Sequence, residues 1–290
     1  MRITTRDGLP AFVAEVSGVA VYLDNDSLIQ LAKGSPVLRA RFLEALREGG
    51  TFLFSATNAV EVAGPQGKSA QAVRAILDAI GANWVPLEMD PRTVMEREQG
   101  GSPSAAVAGH FIEAYFKQRA HELAPAGDRI VDLSADRFFK LGEVVEWASR
   151  RRDRMRAQAL ELDETLKNII LESRQRYERE PASLDRAFPP GPFTRRAPAT
   201  FVWTHLLRAL VLEAKAYQFK RNDGLDFCHA VLAAAYGSIA ALDKQWKRRI
   251  EGLPKPNELA LVFYRPEVEE LVLALETGAS KARASGHSAT

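Results

Sequence analysis

The chain has a single cysteine, Cys228, so it can close no intramolecular disulfide and carries no cysteine-based metal site. Cys228 reads as a small buried hydrophobe rather than a nucleophile. No apolar run approaches the ~20 residues of a membrane span, and the polar stretch from Met1 to Pro10 lacks the apolar core of a secretion signal. These absences lead to the expectation of a cytoplasmic protein with no membrane association. His110, His121, His205 and His287 share no metal-ligand spacing. His229 falls one helical turn after Asp226 and could reach the same place, but packing beside Cys228 is the favoured reading. Charge of either sign is not in excess. The 39 basic residues against 37 acidic leave a net charge of +2, so bulk electrostatics announce no nucleic-acid partner and any basic surface must be local.

What is present is an ordinary globular composition over 290 residues, enough for one large domain or a core with an insertion. Residues 17 to 92 alternate strand and helix signals. Apolar strand-like runs occupy residues 18–23, 51–55 and 83–87. Between them Ser35 and Pro36 open a helix that Gly49 and Gly50 close, with Val37, Phe42, Leu43 and Leu46 inward. Thr57 is expected to cap a short helix carrying Glu61, and residues 68–80 form another helix. The segment from Gly64 to Ser69 looks like the end of a phosphate-binding loop, but Val62 stands where the motif needs glycine, so it reads as a turn.

The rhythm then changes. Residues 103–181 carry almost no strand signal: helices are expected over 104–122, from a Ser134 cap to Trp147, and over 153–180. Pro181, Pro189, Pro190 and Pro192 mark a linker before a helix over 200–219. Strand and helix alternate again from Leu225, with strands at 238–242 and 259–264 and a last helix over 266–276. The expected organisation is an α/β fold whose central, mainly parallel sheet has four or five strands flanked by helices. Residues 1–94 and 216–277 form its two halves, residues 95–215 a helical insertion, and residues 278–290, small and polar, a disordered tail.

Four acids stand at element ends: Asp24 after the first strand, Glu61 after the second, Asp226 at the opening of an alanine-rich helix, and Asp243 after the next strand. Carboxylates at the C-terminal ends of parallel strands converge where open α/β sheets place their sites. They repel one another unless a hard cation such as Mg²⁺ or Mn²⁺ lies among them. Each acid alone is equally well explained as a helix cap or a surface charge. The conjunction is what points to a metal-dependent phosphodiester-cleaving site.

The segments from Val21 to Ile29, Ser55 to Glu61, Asp226 to Tyr236 and Ile239 to Asp243 resemble, in order, the motifs of the PIN-domain ribonuclease family. The resemblance covers the two ends of the chain and leaves the middle unmatched. It implies Asp24, Glu61, Asp226 and Asp243 as catalytic ligands of one or two Mg²⁺ or Mn²⁺ ions; Asp26 and Asp223, close by in the sequence, are candidates for auxiliary ligands. It implies cleavage of RNA, or sometimes DNA, by a metal-activated water. Many family members are toxins held by an inhibitor (antitoxin) protein or are defence nucleases, and the insertion could dock such a partner or form a homo-oligomer. Two positions depart from the pattern. Asp26 stands where the family usually has Asn or Ser, and Ala241 where it often has Thr or Ser.

Two rival readings remain. Asp24, Asp26 and the strand ending in Ser55 also resemble the first two motifs of haloacid-dehalogenase-like phosphatases, although paired acids downstream are missing. The other rival is a non-catalytic nucleic-acid or protein-binding module on a degenerate nuclease fold, which Ala241 and the large insertion favour. For nucleic-acid contact the candidates are Lys244, Lys247 and Arg248, beside Asp243, together with Lys220 and Arg221. The run from Arg150 to Arg156 reads first as a solvated face.

Overall fold

Successive side chains of a strand point to opposite faces of its sheet, and here both faces are apolar. The computed structural model describes residues 2–6, 9–14, 16, 18–62, 68–123, 140–213, 218, 220 and 222–286. A hairpin of β1 (Arg2–Arg6) and β2 (Leu9–Val13) comes first. It was not anticipated, because Arg2, Thr4, Thr5 and Arg6 give it no apolar signal. Then follow β3 (Val19–Leu23), α1 (Asn25–Lys33), α2 (Pro36–Gly49), β4 (Gly50–Ser55), α3 (Ala56–Val62), α4 (Lys68–Ile80) and β5 (Trp84–Leu87). The middle of the chain holds α5 (Pro91–Gln99), α6 (Gly109–Leu123), α7 (Leu141–Ser149), α8 (Arg152–Arg179), α9 (Ala182–Ala187) and α10 (Pro198–Leu212). The end holds α11 (Asp223–Tyr236), β6 (Ile239–Ala241), α12 (Lys244–Glu251), β7 (Leu261–Phe263) and α13 (Val268–Gly286).

The five later strands form one sheet in the order β5-β4-β3-β6-β7, every neighbouring pair parallel. From β3 the chain moves outward through β4 to β5, then returns to the other side for β6 and β7. The winding therefore reverses between β3 and β6, and a crevice opens outside the carboxyl ends of these two strands. The expected α/β architecture with five parallel strands is what the chain adopts.

Alternation assigns the strand side chains to two cores. Ala20, Tyr22, Leu53, Val85 and Ala240 pack with Leu162 and Leu166 of α8, Leu206 and Leu210 of α10, and Phe227 of α11. Val21, Leu23, Phe52, Phe54 and Trp84 pack with α1, α2, α4, α7 and α13. The helical middle thus supplies part of both cores. Buried polar groups tie it down further. Glu98 of α5 accepts from the N–H groups of Ala199 and Thr200 at 2.8 and 2.9 Å, satisfying the start of α10, and from the hydroxyl of Tyr236 at 2.7 Å. Arg174 of α8 donates to the carbonyl of Leu210 at the other end of α10, where a cation also suits the helix dipole.

Several expectations need correction. The segment 278–286 is not a disordered tail: α13 runs to Gly286 and Ala279 is fully buried. Its residues are small because α13 lies against the start of the sheet. A Cβ on Gly18, which has φ +65°, would lie 1.8 Å from the Gly49 carbonyl oxygen and 3.5 Å from Ala282 Cβ. Residues 287–290 are outside the described residues. Val37 is 68% exposed rather than inward, since the buried face of α2 is Leu38, Phe42, Ala45 and Leu46 at helical spacing. Residues 103–106 form turns, and Val107 bridges to Leu87, so the next helix starts at Gly109. Ser134 and the turn at Gly64–Gly67 lie outside the described residues.

Candidate functional site

The two strands flanking the reversal each end in a predicted acid. Asp24 follows β3, and its N–H donates to the Ala241 carbonyl at the end of β6, 3.1 Å away. Asp243 follows two residues later on that same strand end. Asp24 Oδ1 also accepts from Ser27 N–H at 2.7 Å and so caps α1, whose first turn carries Asp26. Asp243 occupies the N-cap position of α12 but makes no side-chain cap bond. Its carboxylate is exposed at the mouth of the crevice. Glu61 lies in α3, which begins directly at the end of β4. Helix α11 leads into β6 and so runs back along it, which puts its first turn, with Asp223 and Asp226, at the same edge of the sheet.

The capping explanation for Asp226 does not hold. The start of α11 is capped by Asp163, a buried residue of α8 in the middle of the chain. Its Oδ1 accepts from Gly224 N–H at 2.8 Å and Leu225 N–H at 3.2 Å, and its other oxygen pairs with Lys167 at 2.9 Å. Gly224 permits this approach, since a Cβ there would lie 2.6 Å from the Asp163 carbonyl oxygen. Asp223 accepts from the N–H of Lys220, which folds the entry turn. Asp226 takes no part in capping and remains on the crevice side of the helix start.

Burial and mutual repulsion hold the acids in a partly protonated state. Burial first, and then the charges of Asp243 and Asp26 against the opposing Ser27 bonds, push Asp24 up to about 6. Burial with Asp24 and Asp26 pushes Glu61 up to about 7. Burial with Asp243, Glu61, Asp223 and Asp24 pushes Asp226 up to about 8. Asp243 is raised by partial burial, Asp26 and Asp223. Asp24, Glu61, Asp226 and Asp243 therefore each feel the charge of other acids in the group. Among the described residues, no three His, Cys, Asp or Glu side chains are gathered tightly enough to enclose a metal ion. The donor chemistry, oxygen only and strongly self-repelling, suits a hard divalent cation, which would draw the carboxylates together.

Beneath the acids runs a buried polar network that the sequence analysis missed. Ser55 and Asn58 cap α3 reciprocally: Asn58 N–H donates to Ser55 Oγ at 3.1 Å, and Asn58 Oδ1 accepts from Ser55 N–H at 3.0 Å and from its hydroxyl at 2.9 Å. Thr57, expected as the cap, lies inside the helix instead. Its buried Oγ1 has no hydrogen-bond partner among the described residues. Asn58 Nδ2 donates to the Tyr22 hydroxyl at 3.2 Å, and that hydroxyl meets His229 Nδ1 at 2.5 Å. Burial lowers His229 to about 4, and burial together with Glu61 pushes the Tyr22 phenol up, so both are neutral. Tyr22, accepting from Asn58, donates its one proton to Nδ1, which puts the His229 proton on Nε2. His229 is thus buried as expected, and it also braces α11 against β3. The spacing of Ser55 and Asn58 was the available clue; nothing local pairs Tyr22 with a histidine 207 positions away.

The basic candidates separate. Lys247 pairs with Glu267 at 2.6 Å and lies over the ring of Tyr264. Lys244 lies over the same ring and is exposed, as are Arg248 and Lys220. Arg221 is outside the described residues. No helix among the described residues is long and apolar enough to cross a membrane. Compared with protein-family models, with curated proteins and with solved structures, the chain matches none.

Proposed function

We propose that this chain is a metal-dependent endoribonuclease of PIN-like type. What supports the reading is that Asp24, Glu61, Asp226 and Asp243 stand at element ends around the winding reversal between β3 and β6, near enough that their charges raise one another's pKa. With the start of α11 capped by Asp163, Asp226 is not needed for capping. These residues would hold Mg²⁺ or Mn²⁺, with Asp26 and Asp223 as auxiliary ligands. When bound, the cation supplies a water of lowered pKa and neutralises charge on the phosphodiester.

The chain's own groups set the stage for that chemistry. Asp24 is fixed by its bond to Ser27 and by its backbone bond to β6. The amino-terminal end of α11 faces the acids, and its dipole favours the ionised carboxylate that a cation needs. RNA is the preferred substrate, with DNA as the variant, and Lys244, Arg248 and Lys220 are exposed cations that can meet its backbone. An inhibitor protein and self-association are further partners consistent with the helical middle. The phosphatase alternative using Asp24 and Asp26 loses support because the Ser55 hydroxyl is engaged in capping α3.

The test is cleavage of labelled single-stranded and structured RNA with Mn²⁺, with Mg²⁺ and with EDTA, by wild type and by an Asp24→Asn/Asp226→Asn variant. Cleavage that needs metal and vanishes in the variant supports the reading. Absence of cleavage by folded wild type under every metal would contradict it. A phosphate-release assay with Asp226→Asn alone separates the phosphatase, which should tolerate that change, from the nuclease.

A further inference from the structure

The acidic crevice has a neighbour of opposite character. A cavity of about 360 Å³ lies between α3, α8 and the start of α11, and its lining includes Thr57, Glu61, Arg152, Arg156, Asn222 and Leu225. Glu61 belongs to both places, so whatever fills the cavity adjoins the acids. Arg152 and Arg156 are one turn apart on α8 and therefore share a face of it. Neither makes an ion pair among the described residues, whereas Arg174 and Arg176 on the same helix each have a partner.

Two further features of the cavity lack a structural explanation. Thr57 is 2% exposed, and its buried hydroxyl meets no partner among the described residues. A buried polar group left unpaired carries a desolvation cost that a ligand can remove. Asn222 holds a left-handed backbone, φ +73°, at the head of α11, yet its side chain does not cap that helix. Two unpaired guanidinium groups, a hydroxyl and an amide are donors, which is the set that a phosphate oxyanion accepts from. Val60, Ala159, Leu160 and Leu225 line the remainder.

We propose that this cavity is a phosphate subsite, in which Arg152 and Arg156 hold the backbone phosphate next to the bond that is cleaved. Its placement beside the scissile bond rests on the nuclease reading; binding of a phosphate oxyanion by the arginines does not. The helical middle then has a defined task. It brings cationic groups to a crevice whose own carboxylates would repel nucleic acid. The run at Arg150–Arg156 divides accordingly: Arg152 and Arg156 line the cavity, while Arg154 does not.

The experiment measures anisotropy of a labelled single-stranded RNA in EDTA, so that binding is read without cleavage. Wild type is compared with Arg152→Ala/Arg156→Ala, with Arg152→Lys/Arg156→Lys, and with Arg154→Ala, thermal midpoints confirming that each is folded. Removing both arginines should weaken binding at least about tenfold and flatten the salt dependence by about 0.7–1.4 in log–log slope, the contribution of one or two phosphates. The lysine pair should recover most of the slope but not all of the affinity, because it lacks the bidentate fork. Arg154→Ala should stay within about twofold of wild type, as expected of a surface charge away from the contact. Unchanged binding by the double alanine variant, an equal loss in Arg154→Ala, or no RNA binding by wild type would overturn the proposal. Binding that follows the expected pattern while wild type fails to cleave with any metal would keep the subsite and remove the nuclease reading.

Discussion

Replacing Asp226 with Asn should stabilise the metal-free protein at alkaline pH, although it removes a central residue of the proposed site. In the unfolded chain Asp226 ionises near its ordinary 3.8, whereas in the fold it is held up to about 8. Between these values the folded state binds the extra proton, so the group destabilises the fold progressively as pH rises through that window. Four units at 1.36 kcal/mol each set an upper bound of about 5–6 kcal/mol. The penalty is shared with Asp243 and Glu61 and relieved by solvent, so about 2 kcal/mol is the expected gain for Asn at pH 8. For a chain of this length that is a rise of about 4–6 °C in thermal midpoint. Thermal unfolding in EDTA at pH 5 and pH 8 measures it. The gain should be large at pH 8 and fall to about a third of that at pH 5, where the pH stands little above the unfolded value. Saturating Mn²⁺ at pH 8 should reverse the order, because a ligand at 100 times its Kd adds about 2.7 kcal/mol to the state that binds it. A variant no more stable than wild type at pH 8, or a gain independent of pH, would refute the electrostatic account of the crevice.

Other residues make separate predictions. Gly224→Ala places a Cβ 2.6 Å from the Asp163 carbonyl oxygen, and should lower stability by about 1–3 kcal/mol as the cap is forced apart; an unchanged urea midpoint would contradict the close approach. Tyr22→Phe strands His229 Nδ1 in the core and leaves Asn58 Nδ2 with only its long bond to the Leu23 carbonyl, at a cost of about 1–3 kcal/mol, which chemical denaturation would detect. Deleting residues 278–290 removes the buried Ala279 and the contact at Gly18 and Gly49, so the thermal midpoint should fall by several degrees, at ~2–4 °C per kcal/mol lost; a disordered tail would leave it unchanged.

The sheet was readable because its strands, buried on both faces, are written as short apolar runs between helix caps such as Ser35 and Pro36. The acids were readable because each stands one or two residues beyond such a run or opens a helix. What could not be read is what joins distant segments. Asp163 sits in the middle of an amphipathic helix and shows no local sign that it caps a helix 61 positions away. Tyr22 is one apolar-looking residue of a strand until His229 is brought to it. The tail misled for a related reason: Gly278, Ala279 and Ala282 have the composition of disorder, and only their close approach to Val19, Gly49 and Gly18 explains why small residues are needed there. The hairpin of Arg2–Arg6 with Leu9–Val13 was missed because its first strand is mostly polar and Pro10 interrupts the apolar run of its second.

The central claim is that the acids at the winding reversal together form a divalent-cation site. Calorimetric titration of Mn²⁺ into wild type and into the Asp24→Asn/Asp226→Asn variant, at a pH near 7.5, tests it most directly. The account expects saturable binding to wild type, accompanied by release of protons from carboxylates held near neutrality, and its loss in the variant. Absence of binding to folded wild type, or equal binding to both proteins, would contradict it.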